Sequence, residues 1–336
     1  MTRQITMLTG DRPTGPLHLG HYAGSLVERV RMQEQDSSRR FVMIADAQAY
    51  TDNIGDTSKV TTAIPQLVSD YIACGIDPRK STVFLQSAVP ELFELMQIFM
   101  NITTVARTLR NPTVSEEIRQ RGFEKSLPVG FACYPIGQAA DILGFRATHV
   151  PVGADQLPMI EIASETAARI NRMAGQDVLA IPEVVLTSTG RLPGIDGKAK
   201  ASKSLNNAIY LSDSPDEVRR KVMMMFTDPD HLRVSDPGKV EGNTVFAYLD
   251  AFDPDRDKVE DLKTRYRKGG LGDVTIKKEL VGVLENLLQP MRDRRIDPVT
   301  NRDDCLDILR DGSAAAREVV AGVLADVRRS LGIFVL

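Results

Sequence analysis

From Gln4 to Leu186, short apolar runs alternate with longer amphipathic segments. Gln4 to Thr9 (QITMLT) predicts a buried strand ending at Gly10, and Leu17 to Met32 predicts the helix that follows the tight turn Pro13-Thr14-Gly15-Pro16. Phe41 to Ala45 and Thr82 to Leu85 read as further strands, separated by an amphipathic helix from Thr57 to Cys74. Helical spacing runs from Glu91 to Arg110, after which Asn111 to Pro128 is polar and rich in charge and reads as an insertion or a mobile loop. A helix from about Pro135 to Phe145, a strand at His149 to Val152, a helix from Gln156 to Met173 and a strand at Glu183 to Leu186 continue the series. Strands connected through helices form parallel sheets, so an α/β fold built on a five-stranded parallel sheet is expected.

Beyond Thr187 the texture changes. Ser188 to Asn207 is glycine, serine and lysine with few large apolar residues, the signature of an exposed loop. Val218 to Phe226, Val245 to Ala251, Asp257 to Arg267, Val274 to Arg292 and Asp303 to Leu331 then suit helices, the first announced by Asp213-Ser214-Pro215-Asp216-Glu217. The expected organisation is an α/β domain over residues 1–205 and a helical domain over 206–336. At 336 residues the chain has room for both.

Charge narrows the function classes. Lys and Arg number 42 against 45 Asp and Glu, a net charge of −3, so the chain is no polycation that holds nucleic acid through its total charge; a local basic face stays open. No apolar run approaches the about eighteen residues of a membrane helix, and Met1 to Thr9 alternates instead of building a signal-peptide core. A soluble, cytoplasmic protein without a membrane partner is expected. Cys74, Cys133 and Cys305 lie far apart with no CxxC pair, so neither a disulfide framework nor a structural zinc site can be read from them, and they read as small buried hydrophobes.

The densest chemistry lies in Thr9 to His21, TGDRPTGPLHLGH, where His18 and His21 flank Leu19-Gly20 at a helix start directly after a strand. A helix N-terminus offers unpaired N–H groups and a positive dipole end, Gly20 permits close approach to the backbone, and two imidazoles add donors; together these suit a nucleoside triphosphate. Zinc is the rival, since the i, i+3 spacing of the histidines permits it, but no third ligand stands out. A second segment, Lys200-Ala201-Ser202-Lys203-Ser204, sits in the loop ahead of the helical domain. Lysines and hydroxyls there can close over a polyphosphate, whereas alone they describe a solvated basic loop.

The two segments together resemble the HIGH and KMSKS signatures of class I aminoacyl-tRNA synthetases. CGIDP at Cys74, LQSAVPE at Leu85, YPIGQAADIL at Tyr134 and VPVGADQ at Val150 extend the resemblance over nearly the whole chain, towards the tryptophanyl-tRNA synthetase family of bacterial type. The resemblance implies a Rossmann-like catalytic domain that activates L-tryptophan with ATP and Mg2+ and charges tRNA(Trp), a helical C-terminal domain that binds the anticodon, and a homodimer. It implies His18, His21, Lys200 and Lys203 as catalytic residues. Arg12, Pro13, Thr14, Gly20, Gly153, Ala154, Asp155, Leu192, Ala201, Ser202 and Ser204 would join them at ATP. Asp141 would accept the indole N–H, with Tyr134, Gln156, Gln138, Gln48, Leu8, Val150 and Val152 around the amino acid. No protein-bound metal is implied.

Departures mark a divergent branch. Many bacterial members carry methionine where Gln138 stands, histidine at Gln48, phenylalanine at Leu8, glutamate at Ala154 and methionine at Ala201. From its own surroundings in an apolar helix, Asp141 reads equally as an internally paired aspartate. A nucleotidylyltransferase shares the opening strand, turn and HxGH helix; a tyrosyl-tRNA synthetase usually has a tyrosine where Ala140 lies; a non-catalytic paralogue tends to lose the histidines or lysines that this chain keeps. Met223-Met224-Met225 reads as core at a helix end, and Arg292, Arg294 and Arg295 read as a solvated face with a lesser claim on tRNA phosphates.

Overall fold

The computed structural model describes residues 5–35, 38–186, 192–203 and 205–334. Strand β1 (Ile5–Asp11) leads through the Pro-Thr-Gly turn into α1 (Leu19–His21), a π-helical turn (Tyr22–Leu26) and α2 (Val27–Gln33). Then follow β2 (Ser38–Ile44), α3 (Asp46–Asn53), α4 (Thr57–Cys74), β3 (Thr82–Leu85), α5 (Glu91–Met100), α6 (Val105–Leu109), α7 (Pro112–Gln120) and α8 (Val129–Gly144). Strand β4 (His149–Val152), α9 (Leu157–Ala174) and β5 (Glu183–Leu186) complete the sheet, and α10 (Pro215–Met223), α11 (Thr244–Phe252), α12 (Arg256–Lys268), α13 (Asp273–Arg294) and α14 (Arg302–Ser330) follow.

The sheet has five strands in the order β3-β2-β1-β4-β5, with every pair parallel, as the alternation predicts. Side chains alternate between faces along a strand, and β2 shows the consequence: Phe41 and Met43 join one buried cluster, Val42 and Ile44 the other. The order reverses between β2, β1 and β4, so the C-terminal end of β1 faces the crevice where open α/β sheets bind ligands. The free edge of β3 is covered by α14, whose Ser313 hydroxyl accepts the Leu85 N–H at 3.0 Å.

Asn111 to Pro128 is not the loop its polarity suggests. Asn111 caps α7, its side chain accepting the Thr113 N–H at 3.0 Å, with Pro112 at the first helical position and Val114 fully buried. Helix α8 accordingly starts at Val129, ahead of Pro135, and α3 was not foreseen. The opening strand runs to Asp11 rather than Thr9, and Gln4 lies outside the described residues. The glycine- and lysine-rich segment is anchored rather than merely exposed: Leu192, Ile195 and Ala201 are buried, and Asn207 ties it together by accepting the Ser202 N–H at 2.8 Å. Of the methionine triplet only Met225 is core, while Met223 and Met224 reach solvent. The three arginines at the end of α13 are not a solvated face; all bind other parts of the chain.

Candidate active site

At the end of β1 the chain turns on Gly15, whose φ of +129° lies in the region that favours glycine. Its carbonyl accepts Lys203 Nζ at 2.7 Å, so the lysine segment is already docked on the turn. The helix that follows is capped by its own histidines. His18 Nδ1 accepts the Gly20 N–H at 3.0 Å, and His21 Nδ1 accepts the His18 N–H at 3.2 Å. With both Nδ1 atoms accepting, a neutral ring carries its proton on Nε2, which leaves each imidazole a donor. Burial holds both rings neutral, reinforced at His18 by the charges of Lys203 and Lys200 around it: His18 is pushed down to about 3 and His21 to about 4. Gly20 belongs here because a Cβ would stand 2.8 Å from the His18 ring.

A cavity of about 820 Å3 opens over this turn. Arg12, Thr14, His18, Gly20 and His21 line one side, Lys200, Ala201, Ser202 and Lys203 the other. Asp52, its side chain 5% exposed, also lines it and pairs with both Arg12 and Arg121. Asp11, at the end of β1, takes a 2.6 Å ion pair from buried Arg29 and a 2.8 Å hydrogen bond from Tyr71. Burial opposes the Asp11 charge, but Arg29 outweighs it and holds the carboxyl down to about 2.

A second cavity, about 230 Å3, shares Gly10, Asp11 and Arg12 with the first and extends to Leu8, Gln48, Gln138, Asp141, Val150, Val152, Gly153 and Gln156. A third, about 180 Å3, lies on the other side of Gln48 and Asp141 and adds Gln86 and Tyr134. Asp141 is 1% exposed and receives the Gln86 amide at 2.9 Å on both oxygens. Burial pushes its carboxyl up to about 7; the Gln86 hydrogen bond opposes this and the charge of Asp46 adds to it. The Tyr134 hydroxyl donates to Glu117 at 2.8 Å, tying α8 to α7.

The tRNA synthetases class I (W and Y) family profile matches residues 1–289. A tryptophan--tRNA ligase of Clostridium longisporum is 52% identical over 335 residues, 99% of this chain and 98% of the relative, and one of Streptococcus pneumoniae is 51% identical over 338 residues, 99% of each. The crystal structure of tryptophanyl-tRNA synthetase from Campylobacter jejuni complexed with ADP and tryptophan superposes with a TM-score of 0.85 at 29% identity, covering 98% of this chain and all of that one. The chain belongs to the class I tRNA synthetases (W and Y).

Within this synthetase the residues singled out from sequence sort by position. Arg12, Thr14, Gly20, His18, His21, Lys200, Ala201, Ser202 and Lys203 meet in the large cavity. Leu8, Gln48, Gln138, Asp141, Val150, Val152, Gly153 and Gln156 meet in the smaller one, and Tyr134 lines the third cavity together with Asp141. Ala154 and Asp155 are exposed and line none of these cavities; Pro13 is buried behind the turn. Leu192 is also buried, and its carbonyl accepts the Ala201 N–H at 3.1 Å. Ser204 lies outside the described residues.

Several residues in these walls were missed. Asp11 ends the strand immediately before Arg12, and a charged residue closing an apolar strand is the signal that was available. Gln86 follows β3 inside the LQSAVPE segment, but nothing local reveals that it faces Asp141, 55 positions away. Asp52, Arg121 and Lys59 come from helices whose approach to the cavity is purely tertiary. Among the described residues no group of three or more His, Cys, Asp or Glu is placed to hold a metal ion.

Proposed function

We propose that this synthetase activates L-tryptophan with ATP and transfers it to tRNA(Trp), releasing AMP and pyrophosphate. The observation that carries the proposal is the shared wall of Gly10, Asp11 and Arg12, where a cavity rich in cationic and N–H donors meets one ending at Asp141. A triphosphate in the first and an amino acid in the second bring α-phosphate and carboxylate together there. A carboxylate oxygen of tryptophan attacks the α-phosphorus, the bond to the bridging oxygen breaks, and pyrophosphate leaves. A terminal ribose hydroxyl of tRNA then attacks the aminoacyl carbonyl and AMP departs.

No side chain needs to become a covalent nucleophile; catalysis rests on positioning and on charge stabilisation. His18 and His21 donate from Nε2 to phosphate oxygens at the helix start, and Lys200 and Lys203 neutralise the charge that grows on the leaving group. Arg12, Thr14, Gly20, Ala201 and Ser202 line the rest of the nucleotide seat, and Gly153 lines the second cavity. Asp141 accepts the indole N–H, with Leu8, Gln48, Gln138, Val150 and Val152 around the ring, and Tyr134 and Gln156 help to hold the amino acid. Mg2+ enters as the counter-ion of ATP. The proposal includes a catalytic unit over 1–205, an anticodon-binding helical unit over 206–336, a homodimer, and a cytoplasmic setting; no helix among the described residues is long and apolar enough to cross a membrane. The test is exchange of labelled pyrophosphate into ATP with each amino acid offered separately. Exchange with tryptophan and Mg2+ is expected, and exchange driven by tyrosine alone, or adenylyl transfer without an amino acid, overturns the reading.

A further inference from the structure

The arginines at the end of α13 reach the histidine turn by two routes. Arg295 pairs with Asp70 of α4, a carboxylate with no solvent exposure. The other oxygen of Asp70 accepts the Leu17 N–H at 2.8 Å, one residue before His18. Around this pair the segment is clamped to α4: Arg294 donates twice to the Ala73 carbonyl, at 2.9 and 3.1 Å, and the Ser69 hydroxyl donates to the Ile296 carbonyl.

The second route runs through Asp213. Arg292 donates to its carbonyl at 3.2 Å, and its carboxylate accepts the Tyr210 N–H at 2.8 Å and Lys221 Nζ at 2.6 Å. Tyr210 forms an antiparallel bridge with His18, flanked by Leu19 N–H to the Ile209 carbonyl at 2.9 Å and Leu211 N–H to the Leu17 carbonyl at 3.0 Å. Residues 17–19 are thus held on one side by 209–211 and on the other by the Asp70 carboxylate.

We infer that Asp70 and Arg295 are positioning residues for adenylate formation, a buried ion pair through which the end of α13 fixes the Leu17–His18 peptide and so aims the His18 ring. The inference rests on the proposed use of His18 at the ATP phosphates. Asp70 accepts a backbone N–H that no neighbouring backbone carbonyl takes; burial pushes its carboxyl up, and the Arg295 guanidinium opposes that rise. Neither residue lines either substrate cavity, so the pair acts from behind the site, through the backbone it holds and through the Asp70 charge, which also favours the charged form of Lys203. Small displacements of a catalytic donor are expensive in rate.

The experiment uses the full chain and the variants Asp70→Asn, Arg295→Met and Arg295→Lys, with Arg146→Ala as a control that breaks the ion pair to Asp326 on α14. Single-turnover adenylate formation is measured per active site, beside equilibrium tryptophan binding and Tm. Asp70→Asn and Arg295→Met are expected to slow the step about ten-fold or more while tryptophan Kd stays within about two-fold, with Arg295→Lys intermediate and Arg146→Ala at the wild-type rate. A rate unchanged in Asp70→Asn or Arg295→Met while Tm falls shows a core ion pair without a positioning role and overturns the inference. An equal loss of tryptophan affinity, which marks general loosening, overturns it too. If Asp70→Asn does not fold, the order wild type, Arg295→Lys, Arg295→Met at constant tryptophan Kd decides, and absence of that order counts against the pair. Wild-type protein that forms no adenylate with any amino acid defeats the proposed function instead, so the two failures are separable.

Discussion

The Gln86 side-chain amide stands 2.9 Å from both oxygens of the Asp141 carboxylate, and its own oxygen accepts the Gln48 N–H at 3.0 Å. The backbone donor fixes which end of the amide is NH2, so a donor faces Asp141 by construction. Gln86→Leu removes the hydrogen bond that opposes protonation of a buried carboxylate. Losing a hydrogen bond to a charged group is worth roughly 1.5 to 3 kcal/mol, so the efficiency of tryptophan activation near neutral pH should fall about ten-fold or more. The deficit should shrink in alkali, where Asp141 ionises without help. Pyrophosphate exchange at pH 7.5 and 9.5 reads this directly, and a deficit that does not depend on pH assigns Gln86 to packing.

Asp141 itself should make tryptophan recognition depend on pH. Burial raises its carboxyl to about 7, so below that value the group is neutral and above it ionised. The indole N–H donates to the charged form more strongly, so tryptophan affinity should rise as pH passes upward through about 7, and binding should release a proton. Phenylalanine has no such donor and tyrosine presents its hydroxyl elsewhere, so each leaves the carboxylate unpaired. In Asp141→Ala, tryptophan efficiency should fall at least ~10-fold, the pH step should vanish, and the advantage over tyrosine and phenylalanine should narrow. Calorimetry in buffers of different ionisation enthalpy counts the proton, and exchange with all three amino acids gives the ratios. Unchanged ratios in a folded variant place indole recognition elsewhere.

What the sequence disclosed follows the range of the interactions involved. The parallel strands from Phe41 to Leu186 were readable because each is an apolar run bounded by turn residues, and the histidine turn because its parts are adjacent in the chain. Asn111-Pro112 carried a helix-start signal that the surrounding charge obscured; α7 forms because Val114 is buried and Asn111 caps it. Arg295 looked like surface charge because its partner, Asp70, lies 225 positions away on α4. The same holds for Gln86 and for the Asp52 pairs with Arg12 and Arg121: each joins separate elements, and neither composition nor periodicity records which charged residue faces which. The anchored lysine segment was misjudged for a related reason, since its burial depends on Asn207 and on the turn at Gly15 rather than on its own polarity.

The histidines should be silent in the pH profile of the chemical step. Both are held neutral, His18 down to about 3 and His21 to about 4, far below the ordinary imidazole value. Their Nε2–H donors are therefore present throughout the neutral range, and kcat at saturating tryptophan and ATP should show no ionisation near pH 6.5, whereas kcat/KM for tryptophan should carry the Asp141 step. His18→Ala should also loosen the helix start, because its ring nitrogen caps the Gly20 N–H; losing a cap to alanine typically costs ~1 kcal/mol. A kcat profile that falls with a pKa near 6.5, and loses that fall in His18→Asn or His21→Asn, shows instead that a ring titrates during turnover.

Lys203 should act mainly in the transition state. Its Nζ already sits on the Gly15 carbonyl at 2.7 Å, and burial lowers its pKa, so in the free enzyme it is a docked, partly desolvated cation rather than a tether awaiting a ligand. Ground-state ATP must compete with that carbonyl for the ammonium, so the net gain on binding is small. When the bond to pyrophosphate breaks, charge builds on the leaving oxygens and the balance tips towards them. Lys203→Ala should therefore slow single-turnover adenylate formation by about 10² to 10³, the usual loss for one preorganised electrostatic contact, while ATP and tryptophan Kd change far less. Lys203→Arg should recover little, because the longer, planar fork does not reproduce a point charge at Gly15. Rapid-quench measurement of adenylate under saturating substrates, set beside equilibrium binding, separates the two effects. Equal losses in rate and in ATP affinity would mean that Lys203 holds the ground state and that the developing charge is met by Lys200 and the histidines.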